Sequence, residues 1–126
     1  MIPNPEPVAP SLDCERLDAY RVAVAFQALA SGLRADRRMG ALRDQLDRAS
    51  VSIVLNIAEA AGRRTSRDKA HFFAIARGSA TECAAVLELL LARGLITPAT
   101  HRHGRGLLVR TVQMLTRLTE PRYTSR

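Results

Sequence analysis

The chain has 126 residues, which sets the expectation of one domain around one shared core. It is 47% hydrophobic but only 4% aromatic and lacks tryptophan, so Ala, Leu and Val must fill the core, and a base-stacking platform for nucleic acid is not expected. The net charge of +7, from 18 arginines and one lysine against 12 carboxylates, admits an anionic partner such as nucleic acid, and equally a soluble surface with arginine in place of lysine.

The first twelve residues open with MIPNPEPVAP, four prolines and no apolar run. They read as a disordered leader and not as a signal peptide. A first helix is expected over about residues 13–33. It carries two stripes: Leu17, Tyr20, Val24 and Ala28 on one side, and Val22, Phe26, Leu29 and Leu33 on nearly the opposite side. A one-sided surface helix would show a single stripe.

The second helix is expected over about residues 39–61, with Gly62 as a natural C-cap. Its main stripe is Leu42, Leu46, Ala49, Ile53, Ile57 and Ala60. Val51, Leu55 and Ala58 form a second apolar arc well over 100° away at about 100° per residue. Gln45, Ser52, Asn56, Glu59 and Arg63 make a polar edge between the two.

A third helix begins after Thr65 or Ser66, either of which is a good N-cap, with Asp68 in the first turn. It ends at Arg93 with Gly94 just beyond, about 27 residues or roughly 40 Å. Phe72, Ala76, Ser79, Cys83, Val86, Leu87 and Leu90 share its inward face. Ile75, Glu82 and Leu89 run beside them, and Ala74, Gly78 and Ala85 form a ribbon of small residues.

Thr97-Pro98 is an N-cap followed by proline at the first helical position. It opens a fourth helix that runs to about Thr119, before Pro121. Leu108, Val112 and Leu115 are its stripe, while Gly104 and Gly106 weaken its first half by roughly 1 kcal/mol each relative to Ala. Residues 121–126 form a short tail. There is no alternating strand pattern, internal repeat or second domain.

Four helices on short links give an all-α, antiparallel up-down-up-down bundle over residues 13–120. The second stripes exceed what a monomer of four helices needs. They suggest self-association through Val51, Leu55 and Ala58, against the plainer reading of a broad core arc with scattered exposed aliphatics.

The segments QLDRASVSIVLNIAEAAGR and FFAIARGSATE carry a family likeness. They resemble the four-helix-bundle proteins encoded in intervening sequences of bacterial 23S ribosomal RNA genes, sometimes labelled S23 ribosomal proteins. The pattern falls on Gln45, Leu46, Arg48, Ala49, Ser52, Ile53, Asn56, Ile57, Ala58, Glu59, Gly62, Arg63, Ala76, Gly78, Ser79 and Glu82. It covers about residues 17–96, and Ala60 stands where the pattern has glycine. The resemblance implies a bundle that looks like a homopentamer, similar to the accessory protein of diversity-generating retroelements. That relative is a basic pentamer that binds nucleic acid and a reverse transcriptase. The intervening-sequence proteins have no established activity.

Nothing in the chain points to catalysis, a metal or a cofactor. His101 and His103 are two apart and do not share a helical face. His71 stands alone, and the two cysteines, Cys14 and Cys83, do not make a disulfide framework. Ser79 with Glu82 at i+3 lacks a base. Asn56, Glu59 and Arg63 could grip a ligand or an RNA phosphate. As a structural network with Ser79 and Glu82, they would be mostly buried and bonded between helices or subunits, with Arg48, Arg63 and Arg77 as candidate partners of the carboxylates. Arg34, Arg37, Arg38, Arg64, Arg67, Arg110, Arg117 and Arg122 are the candidate contacts to nucleic acid. With no apolar stretch near the roughly 20 residues of a membrane span, the expected location is the cytoplasm. Two functions remain open: an oligomeric scaffold that binds RNA or DNA by charge, and a protein-interaction module, for example with a reverse transcriptase, whose charge is incidental.

Overall fold

The computed structural model describes residues 10–120. A 3-10 turn, Asp13–Arg16, precedes α1 (Asp18–Ser31). A second 3-10 turn, Arg37–Met39, leads into α2 (Ala41–Gly62), followed by α3 (Ser66–Ala92) and α4 (Pro98–Thr119). No strand occurs among the described residues. The expected leader and tail fall largely outside them.

The helix ends follow from residues that replace the missing intrahelical bonds. Thr65 and Thr97 each accept a backbone N–H three residues on, from Asp68 and Thr100, at 3.1 Å. At the end of α3, Gly94 takes φ +69°. Its N–H bonds to the Leu91 carbonyl, and that of Leu95 reaches Leu90, both at 2.9 Å, the Schellman pattern. Two cations close the other helix ends across a turn. Arg43 donates to the carbonyls of Leu33 and Ser31 beyond and at the end of α1. Lys69 donates to those of Ala60 and Ala61 at the end of α2.

The first helix is shorter than expected. Leu17 adopts an extended conformation (φ −91°, ψ 126°) and separates the 3-10 turn from α1. Arg21 holds this step by bonding both the Asp18 carboxylate and the Glu15 carbonyl. The second helix starts two residues later than expected, because Met39 belongs to the 3-10 turn and Gly40, at φ +53°, breaks the path.

Cross-helix contacts fix the directions. Going along α2, Gln45 meets Glu82, Ser52 meets Ser79 and Arg63 meets Phe72 on α3. Along α3, Arg77 meets Thr116 and Glu88 meets His101 on α4. One number rises as the other falls, so both pairs are antiparallel. Arg43 beside Ser31 and Leu33 at one end, and Arg16 and Leu17 sharing a recess with Ala61 and Gly62 at the other, set the same relation for α1 and α2. Both the α1–α2 and α3–α4 connections therefore lie at one end of the bundle, and the α2–α3 turn lies at the other.

The core is aliphatic and continuous. Phe26, Met39, Leu46, Ile53, Ile57, Leu87, Leu90, Leu108 and Leu115 are its largest fully buried side chains. Expected core residues Leu46, Ile53, Ile57, Ala76, Cys83, Val86 and Leu90 are buried. Phe72 is not: Phe73 takes the interior place, and Phe72 lies half-buried against the core with the Arg63 guanidinium 4.6 Å over its ring. On α1, the Val22–Phe26 side is buried and Val24 is exposed. The Ala60 methyl is fully enclosed at the end of the α2 stripe.

Candidate interaction surfaces

The polar residues of α2 and α3 meet along the seam between the two helices. Ser52 and Ser79 hydroxyls bond at 2.9 Å, and the Asn56 amide donates to the Ser52 carbonyl at 2.9 Å and hydroxyl at 3.1 Å. The Gln45 amide donates to the Glu82 carboxylate, and Arg48 donates back to the Gln45 oxygen. At the turn end, Arg63 pairs with Glu59 at i+4 while stacking on Phe72. The expected network of Asn56, Glu59, Arg63, Ser79 and Glu82 is thus drawn to one seam. The Ser52–Ser79 and Gln45–Glu82 bonds and the Arg63–Phe72 stacking cross from α2 to α3 and pin their register, whereas Asn56 and Glu59 bond within α2.

Burial within the protomer differs from the expectation. Asn56 and Ser79 are half-buried, whereas Glu59 and Glu82 are exposed. Both carboxylates sit on the outer rim of the seam, more than 100° from the inward direction of their helices at about 100° per residue. Of the three candidate arginine partners, Arg63 pairs directly with Glu59, Arg48 reaches Glu82 only through Gln45, and Arg77 turns to Thr116 on α4. Gln45 is the bridging residue that the sequence pattern contained without marking. Ser79 bonds to Ser52 and Glu82 to Gln45, so the i+3 pair is split between two different partners.

A second surface is apolar. Val24 on α1 and Val51 and Leu55 on α2 are 42%, 37% and 62% exposed and lie together on one surface. With Gln27 and Val54 they line a shallow cleft of about 180 Å³. Ala58, the third expected member of this arc, is half-buried. On α3, Ile75 and Leu89 are also exposed, 40% and 46%, on the line that contains Glu82. The cleft lies on α1 and α2, whereas Ile75 and Leu89 stand on α3 about 21 Å apart, at about 1.5 Å per residue, with the exposed Glu82 between them.

The candidate arginines do not form one patch. Arg34, Arg37 and Arg38 lie in the α1–α2 connection, Arg64 and Arg67 lie at the α2–α3 turn, and Arg110 and Arg117 stand on α4. Arg122 lies outside the described residues. Arg38 is held by Asp36, with contacts at 2.7 and 3.1 Å, while the Asp36 carboxylate also accepts the Arg38 N–H. The side-chain and backbone hydrogen bonds from Arg38, with its charge and that of Arg34, hold the Asp36 carboxyl down at about 2.

An open recess of about 680 Å³ lies at the α2–α3 turn, where Arg16, Arg63, Arg64 and Lys69 stand beside Asp13 over Leu17 and Phe73. Among the described residues, no group of three His, Cys, Asp or Glu side chains gathers in metal-ligand fashion. Burial pushes the Cys83 thiol up to about 12, helped by the Glu82 charge, so at neutral pH it is a protonated core side chain. No described helix is long and apolar enough to cross a membrane.

The model of the family described as 23S rRNA-intervening sequence protein matches residues 16–117, from the first 3-10 turn to the last turns of α4. The chain belongs to this family. The match extends beyond the α2–α3 segments that carry the sequence likeness and takes in α4, which the motif alone covered only as an amphipathic helix. No curated protein matches the chain. For this intervening-sequence protein, Gln45, Ser52, Ser79 and Glu82 therefore both carry the family likeness and bond across the α2–α3 seam, while Asn56 and Glu59 carry the likeness and bond within α2.

Proposed function

We propose that this intervening-sequence protein is a non-catalytic homo-oligomeric scaffold, in the cytoplasm, that contacts RNA or DNA through phosphate. The observation that carries the oligomer is the exposure of aliphatic side chains on two parts of a bundle whose core is already closed: Val24, Val51 and Leu55 together on α1 and α2, and Ile75 and Leu89 on α3. A two-fold dimer needs only one self-complementary surface, whereas two different surfaces that meet head-to-tail generate a ring. The number five is taken from the resemblance to the pentameric accessory protein and is part of the proposal. The polar seam supports a scaffold and not an enzyme, because its hydroxyls, amides and carboxylates are spent on one another and leave no base beside a nucleophile.

Light scattering tests the assembly. The expected mass is that of several chains, and Leu55→Glu is expected to return the protein to a folded protomer, since Leu55 is exposed in the protomer and a charge there costs the fold little. A protein that is monomeric at micromolar concentration before any substitution contradicts the proposal. Binding of a partner protein such as a reverse transcriptase, without affinity for RNA or DNA, would favour the interaction-module reading.

A further inference from the structure

The two ends of the bundle differ in charge. We infer that the end carrying the α1–α2 and α3–α4 connections is the surface that takes the phosphodiester backbone, an inference that rests on the nucleic-acid contact proposed above.

The antiparallel register brings residues 31–43 and 88–105 to one end. Arg43 reaches Ser31 and Leu33 there, His101 faces Glu88 at 3.6 Å, and Gly32 and Leu33 share a recess with Ala99, Thr100 and His103. On the α1–α2 side this end carries Arg34, Arg37, Arg38 and Arg43, and on the α3–α4 side Arg93, Arg102 and Arg105. Against these seven stand two carboxylates, Asp36 and Glu88, a net of +5. The opposite end (residues 10–21, 58–72 and 113–120) has seven cations against six carboxylates, a net of +1. Taken to half the length of the bundle, the first count adds Arg48 against Asp44, Asp47 and Glu82 and falls to +3, which the other half equals once Arg77 and Arg110 join it, so the asymmetry belongs to the two ends.

Distance makes this asymmetry matter. Helices of 22 and 27 residues are roughly 33–40 Å long, several times the Debye length of about 8–10 Å near physiological salt. A polyanion at one end therefore responds to the charge of that end and not to the total. Pairing sharpens the contrast. At the opposite end Arg63 is tied to Glu59 and Arg21 to Asp18. At the basic end only Arg38 has an arginine–carboxylate ion pair, while Arg34, Arg37, Arg93, Arg102 and Arg105 are exposed and form none among the described residues. Five unpaired guanidinium forks suit phosphate oxygens. No Phe, Tyr or Trp occurs in residues 31–43 or 88–105, so the large stacking platforms are absent, and contact goes mainly to the backbone with little sequence preference.

The test compares two variants that each remove four charges per chain. One carries Arg34→Gln, Arg37→Gln, Arg102→Gln and Arg105→Gln. The other carries Arg16→Gln, Arg64→Gln, Arg67→Gln and Arg117→Gln. All eight side chains are exposed, and circular dichroism melting and light scattering check that fold and mass survive. Binding is read by fluorescence anisotropy of labelled duplex DNA and single-stranded RNA from about 50 to 200 mM salt. The first variant is expected to lose about tenfold or more in affinity and to flatten the log–log salt slope by about 0.9 per lost duplex phosphate contact, or about 0.7 on single strands. The second is expected to stay close to the parent. An equal or larger loss in the second variant, or binding intact in both, overturns the location while leaving nucleic-acid binding in place. A parent protein that binds neither polymer overturns both. Poly-glutamate bound as tightly as nucleic acid makes an acidic protein surface the occupant and overturns the assignment to phosphate.

Discussion

Buried polar atoms show how individual residues are accommodated. Ser50 and Thr111 are fully enclosed, and each hydroxyl donates back into its own helix, to the Asp47 carbonyl at 3.0 Å and the Leu107 carbonyl at 2.8 Å. No buried side-chain nitrogen or oxygen among the described residues is left without a partner. Cys83 is the buried group with a chemical signature. Its thiol titrates near 12, above the ordinary 9.0, so the folded chain holds a proton that the unfolded chain releases. Stability should be unaffected by this group below about pH 9 and should decline as pH rises from there toward 12. Folded protein should resist iodoacetamide at Cys83 at pH 8 and react once unfolded, as mass spectrometry would show; rapid labelling in the native state would mean that α3 opens. At the centre of the same core, Ile53→Ala should cost about 2–5 kcal/mol in denaturant unfolding, because the site is closed on all sides.

At the scale of the helices, α4 shows two glycines with opposite meanings. A methyl on Gly104 would come within 2.8 Å of Leu87 Cδ1 and 3.5 Å of Phe26 in the closed core, whereas one on Gly106 meets nothing within 4 Å. Gly104→Ala should therefore destabilise the bundle, since overpacking costs about 1–3 kcal/mol against a propensity gain of up to about 1 kcal/mol. Gly106→Ala should stabilise it by up to about 1 kcal/mol, and thermal melts of the pair should move in opposite directions. The sequence showed both glycines as weak points and could not separate them, because the difference lies in Leu87 and Phe26 on other helices. The same limit explains the phenylalanines of α3. Phe72, Ser79 and Val86 and, one residue on, Phe73, Ala80 and Leu87 both complete a 3–4 stripe with Ala76, Cys83 and Leu90. The first set faces the α2 seam, where Ser79 finds Ser52, and the second faces the interior. Helix existence, the Thr65 and Thr97 caps and the Gly94 stop were legible because they are local. Which of two stripes turns inward on α1 or α3 was not.

For the whole molecule, folding decides which arginines stand together. Arg34, Arg37 and Arg38 were evident candidates as a cluster in the chain. Arg93, Arg102 and Arg105 join them only when the bundle folds back, and Arg64, Arg67 and Arg117 then fall at the nearly balanced end. The seam was legible as a set of residues, but its exposed rim at Glu59 and Glu82 was not, since burial at a helix–helix edge depends on neighbours. The exposed Val24, Val51 and Leu55 on α1 and α2 and Ile75 and Leu89 on α3 remain the side chains that an isolated protomer leaves unexplained. The mass in solution decides whether they are covered by further copies. Multi-angle light scattering on the purified protein at micromolar concentration should give a mass near five chains of 13.8 kDa, about 69 kDa, falling to one chain in Leu55→Glu. A single-chain mass for the unsubstituted protein, or a dimer that Leu55→Glu leaves intact, would contradict the account.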